Sequence, residues 1–245
     1  MAQQAAESNI AVAALSLVET VELSKRYPGQ WALRDVTISI PRGVVVGLLG
    51  PNGSGKSTLL RILAGLARPS SGRVRVLGRE PGVQTKAHVA YLSEVDHLYA
   101  AMTAGEAINF SWAAFADFDP DFAVNLLAKM GLSADKRVGT MSKGQRARLK
   151  LVLALARKAE LILLDEPLSG IDPASRERIL EAIAGEYRAG ESTLILSTHQ
   201  VQESETLFDR VVFLSEGEVA LQGEAEELRR RHGKSIDQLF REVYS

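Results

Sequence analysis

The sequence VVVGLLGPNGSGKSTLL, at residues 44–60, decides the fold class. Its first six residues form a continuous apolar run of strand length, and its glycine-rich middle matches G-x-x-x-x-G-K-[ST]. Apolar side chains then recur at helical spacing, at Leu59, Leu60, Ile62, Leu63 and Leu66. A buried strand that leads through a short loop into an amphipathic helix predicts an α/β protein.

The glycine-rich segment has the composition of a phosphate-binding loop. Glycines let backbone N–H groups approach phosphate oxygens, and the following helix directs its positive end at the anion. Lys56 would reach the β- and γ-phosphates, and the Ser57 hydroxyl would bind Mg²⁺. The predicted nucleotide-binding residues here are Gly50, Pro51, Asn52, Gly53, Ser54, Gly55, Lys56, Ser57 and Thr58. The alternative is a strand–helix turn without a ligand, which the flanking strand and helix disfavour.

Two adjacent acids follow a second apolar run, LILL at residues 161–164. Parallel sheets bind ligands at the carboxyl ends of their strands, so Asp165 is predicted to hold the metal through water or through Ser57. Glu166 is then free to orient and deprotonate an attacking water. His199 ends a further apolar strand and could contact the γ-phosphate, although a hydrogen bond to the backbone is the alternative.

Ser142-Lys143-Gly144-Gln145 begins a helix, and two interpretations of it stay open. Ser142 and Gln145 have the spacing of a capping box. A helix N-terminus that carries a glycine and the flanking cations Lys143 and Arg146 is also an anion site.

The remaining sequence predicts strands, turns and a helical insert. Residues 18–40 alternate like two paired strands around a turn at 27–29, and residues 210–223 predict a hairpin that turns at Glu216-Gly217. Residues from about 95 to 157 predict mostly helix, and a further helix is expected over 173–189.

Composition excludes several classes of protein. The 245 residues carry 29 Lys and Arg against 30 Asp and Glu, and this balance argues against a nucleic-acid partner. The absence of cysteine excludes a disulfide framework and a thiolate zinc site. Because no apolar run approaches the roughly 20 residues of a membrane span, we expect a soluble chain.

Together these segments resemble the nucleotide-binding subunit of an ATP-binding cassette (ABC) transporter, from about Val18 to Tyr244. The motifs stand in the family's order: Walker A at 50–58, the signature MSKGQ at 141–145, Walker B at 161–166, the D-loop SGID at 169–172, and His199 as the switch histidine.

The resemblance implies a fold and a division of the chain. The expected fold is a P-loop NTPase (RecA-like) core with an antiparallel β subdomain and an inserted α-helical subdomain at about 95–157. The expected parts are a flexible leader (1–16), the ABC ATPase domain (17–228) and a short C-terminal helical tail (229–245).

The resemblance also implies a site shared by two chains. A head-to-tail homodimer or heterodimer would enclose two MgATP, each between the Walker A loop of one chain and the signature of the other. The signature residues expected at the nucleotide are Ser142, Lys143, Gly144 and Gln145. Tyr27 would stack on the adenine, with Trp31 as the alternative, and the catalytic residues would be Lys56, Glu166 and His199.

The implied partner is a separate integral-membrane permease, with this ATPase peripheral at the inner face of the membrane. Loop 94–103 would lie in the groove that receives the permease. The ending SIDQLFREVY, at 235–244, resembles the terminal helix of drug- and antibiotic-type exporters, so we expect export.

Two residues depart from the family's pattern. Lys143 replaces the first of two glycines in the signature, and Glu94 stands where the family has a glutamine. Glu94 is still an oxygen ligand for Mg²⁺ but adds a charge, so a slowly hydrolysing, nucleotide-gated regulatory subunit is the alternative function. A GTPase is a third possibility, against which stands the absence of an Asn-Lys-x-Asp motif.

Overall fold

The structure is a computed structural model that describes residues 16–186 and 192–244. Two β-sheets and eight α-helices lie within those residues. Residues 1–15, almost all of the predicted leader, lie outside the described residues, whereas Ser16 already begins the first strand.

The smaller sheet is antiparallel and has the strand order β2-β1-β4. Its strands are β1 (Ser16–Tyr27), β2 (Gln30–Pro41) and β4 (Ser71–Val76). Strands β1 and β2 pair across the turn at Gly29, which has a φ of +86°. The predicted strand pair and the predicted antiparallel subdomain are therefore confirmed.

The larger sheet has six strands in the order β5-β6-β7-β3-β8-β9. The parallel strands are β3 (Val45–Leu49), β5 (Val89–Leu92), β6 (Leu161–Asp165), β7 (Thr193–Thr198) and β8 (Arg210–Ser215). Strand β9 (Glu218–Glu224) pairs with β8 as the predicted hairpin. Every residue of β3, β6 and β7 is buried, as their continuous apolar runs predict.

The helices are α1 (Lys56–Leu63), α2 (Val83–Lys86), α3 (Ala104–Ala114), α4 (Pro120–Lys129), α5 (Lys143–Leu155), α6 (Pro173–Glu186), α7 (Ala225–His232) and α8 (Ile236–Val243). Helices α3, α4 and α5 form the predicted insert, but residues 95–103 and 130–142 contain no α-helix. Capping fixes these bounds: Thr103 and Glu106 cap each other's backbone at α3, and Asp119 accepts from the Phe122 N–H at α4. The last residues expected in α6, 187–189, lie outside the described residues.

Two apolar cores flank the larger sheet. One lies between the two sheets and encloses α1, which buries Leu59, Leu60, Ile62 and Leu63 there. The other joins the opposite face of the larger sheet to the helical insert, α6 and the C-terminal helices. The cores hold three neighbouring parallel strands in place, so the ends of β3, β6 and β7 meet at one edge.

The C-terminal helices pack on the larger sheet. The predicted boundary at residue 228 falls inside α7, which ends at Gly233 in a left-handed conformation. The rings of Phe213 in β8 and Tyr244 stack with centroids 6.4 Å apart, and Phe240 lies against Tyr244. None of the helices in the described ranges has the length and apolarity that a membrane span requires.

Candidate nucleotide-binding site

The loop between β3 and α1 has a backbone that requires glycine. Gly53 and Gly55 have φ angles of +84° and +107°, in the left-handed region. A Cβ atom on Gly50 would lie 2.4 Å from the Leu214 carbonyl oxygen, and one on Gly55 would lie 2.5 Å from the Ala32 carbonyl oxygen. The loop is therefore held closely between β8 and β2.

Lys56 lies at the centre of this loop. Its side chain is only 5% exposed, and its ammonium donates to the carbonyl oxygens of Gly50 at 2.6 Å and Pro51 at 3.1 Å. Gly55 caps α1 without a side-chain hydrogen bond, so the first-turn N–H groups of the helix remain open to an anion.

The other predicted loop residues differ in exposure. Pro51, Asn52 and Gly53 are exposed, and Thr58 is half-buried. The Ser54 side chain is buried, and its hydroxyl has no hydrogen-bond partner among the described residues. Because buried hydroxyls are normally satisfied, this orphaned group beside open N–H donors fits a loop that binds an oxygen-rich ligand.

Asp165 is fully buried at the end of β6 and accepts three hydroxyl groups. Its Oδ1 accepts from Ser57 Oγ at 2.9 Å and from Ser197 Oγ at 2.8 Å, and its Oδ2 accepts from the Tyr91 hydroxyl at 3.0 Å. The predicted proximity of Ser57 and Asp165 is confirmed. Burial, and then the Asp165 charge, raise the pKa of Tyr91, which therefore remains a proton donor.

Glu166 lies between the side chains of Lys56 and His199. Its Oε1 is 3.2 Å from Lys56 Nζ, and its Oε2 is 2.9 Å from His199 Nδ1. Its φ of +48° is uncommon for a residue with a side chain and re-aims the chain directly after β6. His199 therefore contacts the Glu166 side chain, and within residues 16–186 and 192–244 its ring has no hydrogen bond to the backbone.

The signature residues begin α5, away from the loop after β3. Ser142 Oγ accepts from the Gln145 N–H, and Gln145 Oε1 accepts from the Ser142 N–H, so the predicted capping box is confirmed. A Cβ on Gly144 would lie 2.6 Å from both Asp172 Oδ2 and Ser175 Oγ. Within the described chain, no hydrogen bond or ion pair joins residues 142–145 to residues 50–58.

Glu94 is exposed in the loop after β5, and its neighbours define a polar cavity. This cavity, of about 440 Å³, is lined by Glu94, Lys143, Lys150 and Glu166, among others. Lys143 of the signature and Glu94, which stands in place of the family's glutamine, therefore line the same cavity as Glu166. The structure gives Glu94 no direct contact with Ser57 or Asp165 among the described residues.

Tyr27 ends β1 and pairs with Gln30 at the tip of the hairpin. Its side chain is 36% exposed, and that of Trp31 is 42% exposed. Cations cover both rings: Lys25 Nζ is 5.0 Å from the Tyr27 centroid, and the Arg26 guanidinium is 5.5 Å from that of Trp31. Both aromatic residues lie on the hairpin whose Ala32 backbone contacts the loop after β3.

Sequence reasoning missed three residues of this region: Ser197, Tyr91 and Lys150. Ser197 lies opposite Asp165 in the β6–β7 register, which only the strand order reveals. Tyr91 comes three residues before Glu94 and carries no motif of its own. The signal for Lys150 was a lysine at a helix position otherwise occupied by buried apolar residues.

Ser57 and Asp165 suit Mg²⁺, which takes few protein ligands, better than a metal ion that is coordinated by protein side chains alone. No cluster of three His, Asp or Glu side chains with metal-binding geometry occurs in residues 16–186 and 192–244. A hydroxyl and a single buried carboxylate, 2.9 Å apart beside a phosphate loop, match an ion that keeps several waters and shares its ligands with phosphates.

Comparison with known proteins agrees with this geometry. The sequence model of the ABC transporter family matches residues 33–169, more than half of the chain. An uncharacterized ABC transporter ATP-binding protein of Nostoc is 38% identical over 228 residues, covering 87% of this chain and 68% of that protein. The daunorubicin/doxorubicin resistance ATP-binding protein DrrA of Streptomyces peucetius is 32% identical, covering 89% and 68%.

Solved structures show the same fold. A structure described as the ATP-binding subunit of an ABC transporter superposes with a TM-score of 0.82 at 30% identity, covering 94% of this chain and all of that one. The predicted P-loop NTPase fold is confirmed by this likeness together with the two sheets and the helical insert. The chain therefore belongs to the ABC transporter family, as one of its ATP-binding, ATP-hydrolysing subunits.

Proposed function

We propose that the chain hydrolyses MgATP at the carboxyl edge of its larger sheet and thereby powers export through a separate membrane permease. The observation that carries the proposal is the meeting of Ser57 and Asp165 at 2.9 Å, with Glu166 next in sequence and in contact with both Lys56 and His199. Groups that can hold a metal, phosphate and water thus converge on one edge.

Ser57 and Asp165 would hold Mg²⁺, with Glu94 as a further oxygen ligand from the loop after β5. The ion, when bound, neutralises charge on the β- and γ-phosphates. The N–H groups of the loop and the Lys56 ammonium bind the phosphate oxygens, and Lys56 leaves its carbonyl contacts to do so.

Glu166 would act as the base. It accepts a proton from the water whose oxygen attacks the γ-phosphorus, while the bond to the bridging oxygen breaks and ADP leaves. His199, 2.9 Å from Glu166, fixes the direction of the carboxylate and reaches the γ-phosphate with its other ring nitrogen. We assign stacking on the adenine to Tyr27, whose exposed ring lies on the hairpin that borders the loop.

A second chain would complete the site. Residues 142–145 present a helix N-terminus and the Lys143 ammonium, and both suit a triphosphate. Because no hydrogen bond or ion pair joins them to the loop of their own chain among the described residues, we assign them to the nucleotide held by a partner in a head-to-tail dimer. Homodimers and heterodimers with another ABC subunit both satisfy this arrangement.

An apolar groove on the helical insert would receive the permease. It has a volume of about 410 Å³, and its lining includes Leu98, Tyr99, Phe110 and Phe115. Tyr99 and Phe110 are 63% and 53% exposed, and the loop 94–103 forms one wall. Large exposed apolar patches mark interaction sites, so this groove suits contact with a permease. We assign the chain to the cytoplasm, at the inner face of the membrane, because it belongs to the ABC transporter family.

Two observations favour export. The similar protein from Streptomyces peucetius is a resistance protein by name, and residues 235–244 resemble the terminal helix of drug exporters. Glu94 alone favours the alternative of a slow regulatory subunit. The similar protein from Nostoc is named as an ABC transporter ATP-binding protein, and this name supports transport instead.

The direct test is the ATPase activity of Glu166→Gln. We expect its turnover to fall about 100-fold or more, because a glutamine cannot take the proton. The matched control is Glu227→Gln, an exposed acid on α7, which should hydrolyse like the wild type. Retained turnover in Glu166→Gln would remove Glu166 from this role.

The same variant tests the assembly. Without hydrolysis, ATP should convert Glu166→Gln from monomer to dimer in size-exclusion chromatography with light scattering. ADP should leave it monomeric. A monomer at saturating ATP would contradict a dimer of identical chains.

A further inference from the structure

Lys150 occupies an unusual position on α5. The residue is 9% exposed and lies among the buried apolar residues of that helix. Its ammonium donates to three consecutive carbonyl oxygens, those of Ser93 at 2.5 Å, Glu94 at 3.2 Å and Val95 at 3.4 Å. An ammonium has three donors, so this one is fully used on a single loop.

The burial of this cation is costly, and the loop offsets the cost. Burial lowers the pKa of Lys150, while the nearby Asp96 and Glu94 carboxylates act in the opposite direction. A methionine or leucine would fill the same place on the helix without desolvating a charge. The loop carbonyls are thus the contacts that distinguish this lysine from an apolar residue.

The loop that Lys150 holds separates two cavities. On one side lies the polar cavity, lined by Glu94, Lys143, Lys150 and Glu166. On the other side lies the apolar groove, which Lys150 also lines, together with Leu98 and Phe110. A change in the path of residues 93–95 would therefore move Glu94 relative to Glu166.

A second and weaker contact, an ion pair, also joins α5 to the loop after β5. Arg146 Nε is 2.8 Å from Asp96 Oδ2, one turn before Lys150 on α5, and the two side chains are 31% and 46% exposed. Exposed ion pairs of this kind contribute little to the order of a loop. Lys150, which is buried and bonds the backbone itself, is the stronger restraint.

We propose that Lys150 is a positioning residue for ATP hydrolysis: by binding the carbonyls of residues 93–95, it sets the Glu94 carboxylate against the cavity that contains Glu166. The proposal rests on the function proposed above, since it acts through Glu94 at the same site. Lys150 would act through this loop, because its three donors are used on the carbonyl oxygens of residues 93–95.

The test is a double-mutant cycle on Lys150 and Glu94, with kcat and the dissociation constant for ATP measured separately. We expect Lys150→Met to lower kcat about tenfold and to change ATP affinity less than about twofold, since the loop after β3 is untouched. In a Glu94→Ala background, Lys150→Met should lower kcat by less than about twofold, because the two residues act through one path. Lys150→Arg should restore at least about a third of the lost kcat, since it keeps the charge and the donors.

The control is Lys158→Met, which removes a lysine that is 56% exposed and should leave kcat unchanged. Lys150→Gln, which keeps a donor, takes the place of Lys150→Met in the cycle if the methionine variant does not fold. An unchanged kcat, an equal loss in the Glu94→Ala background, or a parallel loss of ATP affinity would each overturn the proposal. These outcomes leave the proposed function intact, whereas a wild-type chain without ATPase activity would overturn that function first.

Discussion

At the scale of single residues, the site depends most on Asp165. It is fully buried and accepts hydrogen bonds from Ser57, Ser197 and Tyr91, so both of its oxygens are oriented by hydroxyl donors. An ionised carboxylate is the group that accepts at both oxygens and brings negative charge to a cation. Its surroundings therefore keep it in position for Mg²⁺.

We predict that Asp165→Asn separates metal use from nucleotide binding. The asparagine amide has nearly the same shape as the carboxylate but no charge. Its NH₂ group would face hydroxyl groups that donate to Asp165 in the wild type. ATP hydrolysis at saturating Mg²⁺ should fall about 100-fold, as expected for the loss of several kcal/mol of charge stabilisation. ATP binding in EDTA should stay within about twofold, since Lys56 and the loop are unchanged. A Mg²⁺ titration checks this, with the exposed Asp135→Asn as control, and an unaltered Mg²⁺ dependence would contradict it.

Gly144 offers a second residue-scale prediction, with a matched control in α6. A methyl group at Gly144 would collide with Asp172 Oδ2 and Ser175 Oγ, and Asp172 accepts the Ser175 N–H at the start of α6. Gly144→Ala should therefore lower the free energy of unfolding by about 1–3 kcal/mol. At Gly185, no atom lies within 4 Å of the added Cβ, so Gly185→Ala should stabilise the chain by about 0.5–1 kcal/mol. Urea denaturation measures both, and equal effects would refute this account of Gly144.

A site residue could be predicted from the sequence when the pattern that identifies it lies in one short segment of the chain. The loop at 50–58 and the pair Asp165-Glu166 are contiguous and carry fixed residue types, so the sequence predicted their meeting. Ser197 and Tyr91 reach Asp165 only because β7 and β5 both flank β6. That strand order is a long-range property, and a serine or tyrosine in a strand gives no sign of it.

At the scale of elements, the C-terminal helix α8 supports the strand that leads into the phosphate loop. The Tyr244 hydroxyl, at the end of this helix, donates to the carbonyl oxygens of Leu214 at 2.8 Å and Leu49 at 3.2 Å. Leu49 immediately precedes Gly50, and burial raises the pKa of Tyr244 well above its usual range. The C-terminal helix is thus hydrogen-bonded, through Tyr244, to the strand residue that precedes the phosphate loop.

We predict that Tyr244→Phe destabilises the chain without removing its ring contacts. The stacking on Phe213 and Phe240 is kept, while two carbonyls lose a shared donor. The free energy of unfolding should fall by about 1 kcal/mol, the net value of a buried hydrogen bond. Tyr99→Phe, at a ring that is 63% exposed, is the control and should change stability by less than about 0.5 kcal/mol. Equal stability of both variants would argue against the tether.

Element types were easier to predict than element bounds. The strand runs and the caps at Thr103, Asp119 and Ser142 are short-range signals, and the structure contains each of them. The insert was expected to be mostly helix, yet 95–103 and 130–142 lie outside α-helices. Lys150 binds the carbonyl of Ser93 at the start of the first of these segments, and residues 138–140 in the second form a 3₁₀ turn. Neither a single tertiary contact nor a short 3₁₀ turn produces a periodic apolar pattern in the sequence.

At the scale of the whole molecule, the proposed nucleotide site needs two chains. In the proposed dimer, each chain would supply one half of a nucleotide site from the ends of β3 and β6, and the other half from the start of α5. The two halves share no hydrogen bond or ion pair within the described chain. The proposed head-to-tail dimer would bring each half to its complement, and it would explain why residues 142–145 combine a capping box with a helix N-terminus that suits an anion.

Mixing two inactive variants, Lys56→Ala and Ser142→Arg, and measuring the ATPase activity therefore tests whether two chains share the nucleotide site. Each variant alone should be inactive, since every site in its dimers contains one defective half. In an equal mixture, half of the dimers contain both variants and one intact site, so activity should recover to about a quarter of the wild-type value. A mixture that never exceeds the sum of the two separate activities, beside an active wild type and two folded variants, would contradict a nucleotide held between two chains.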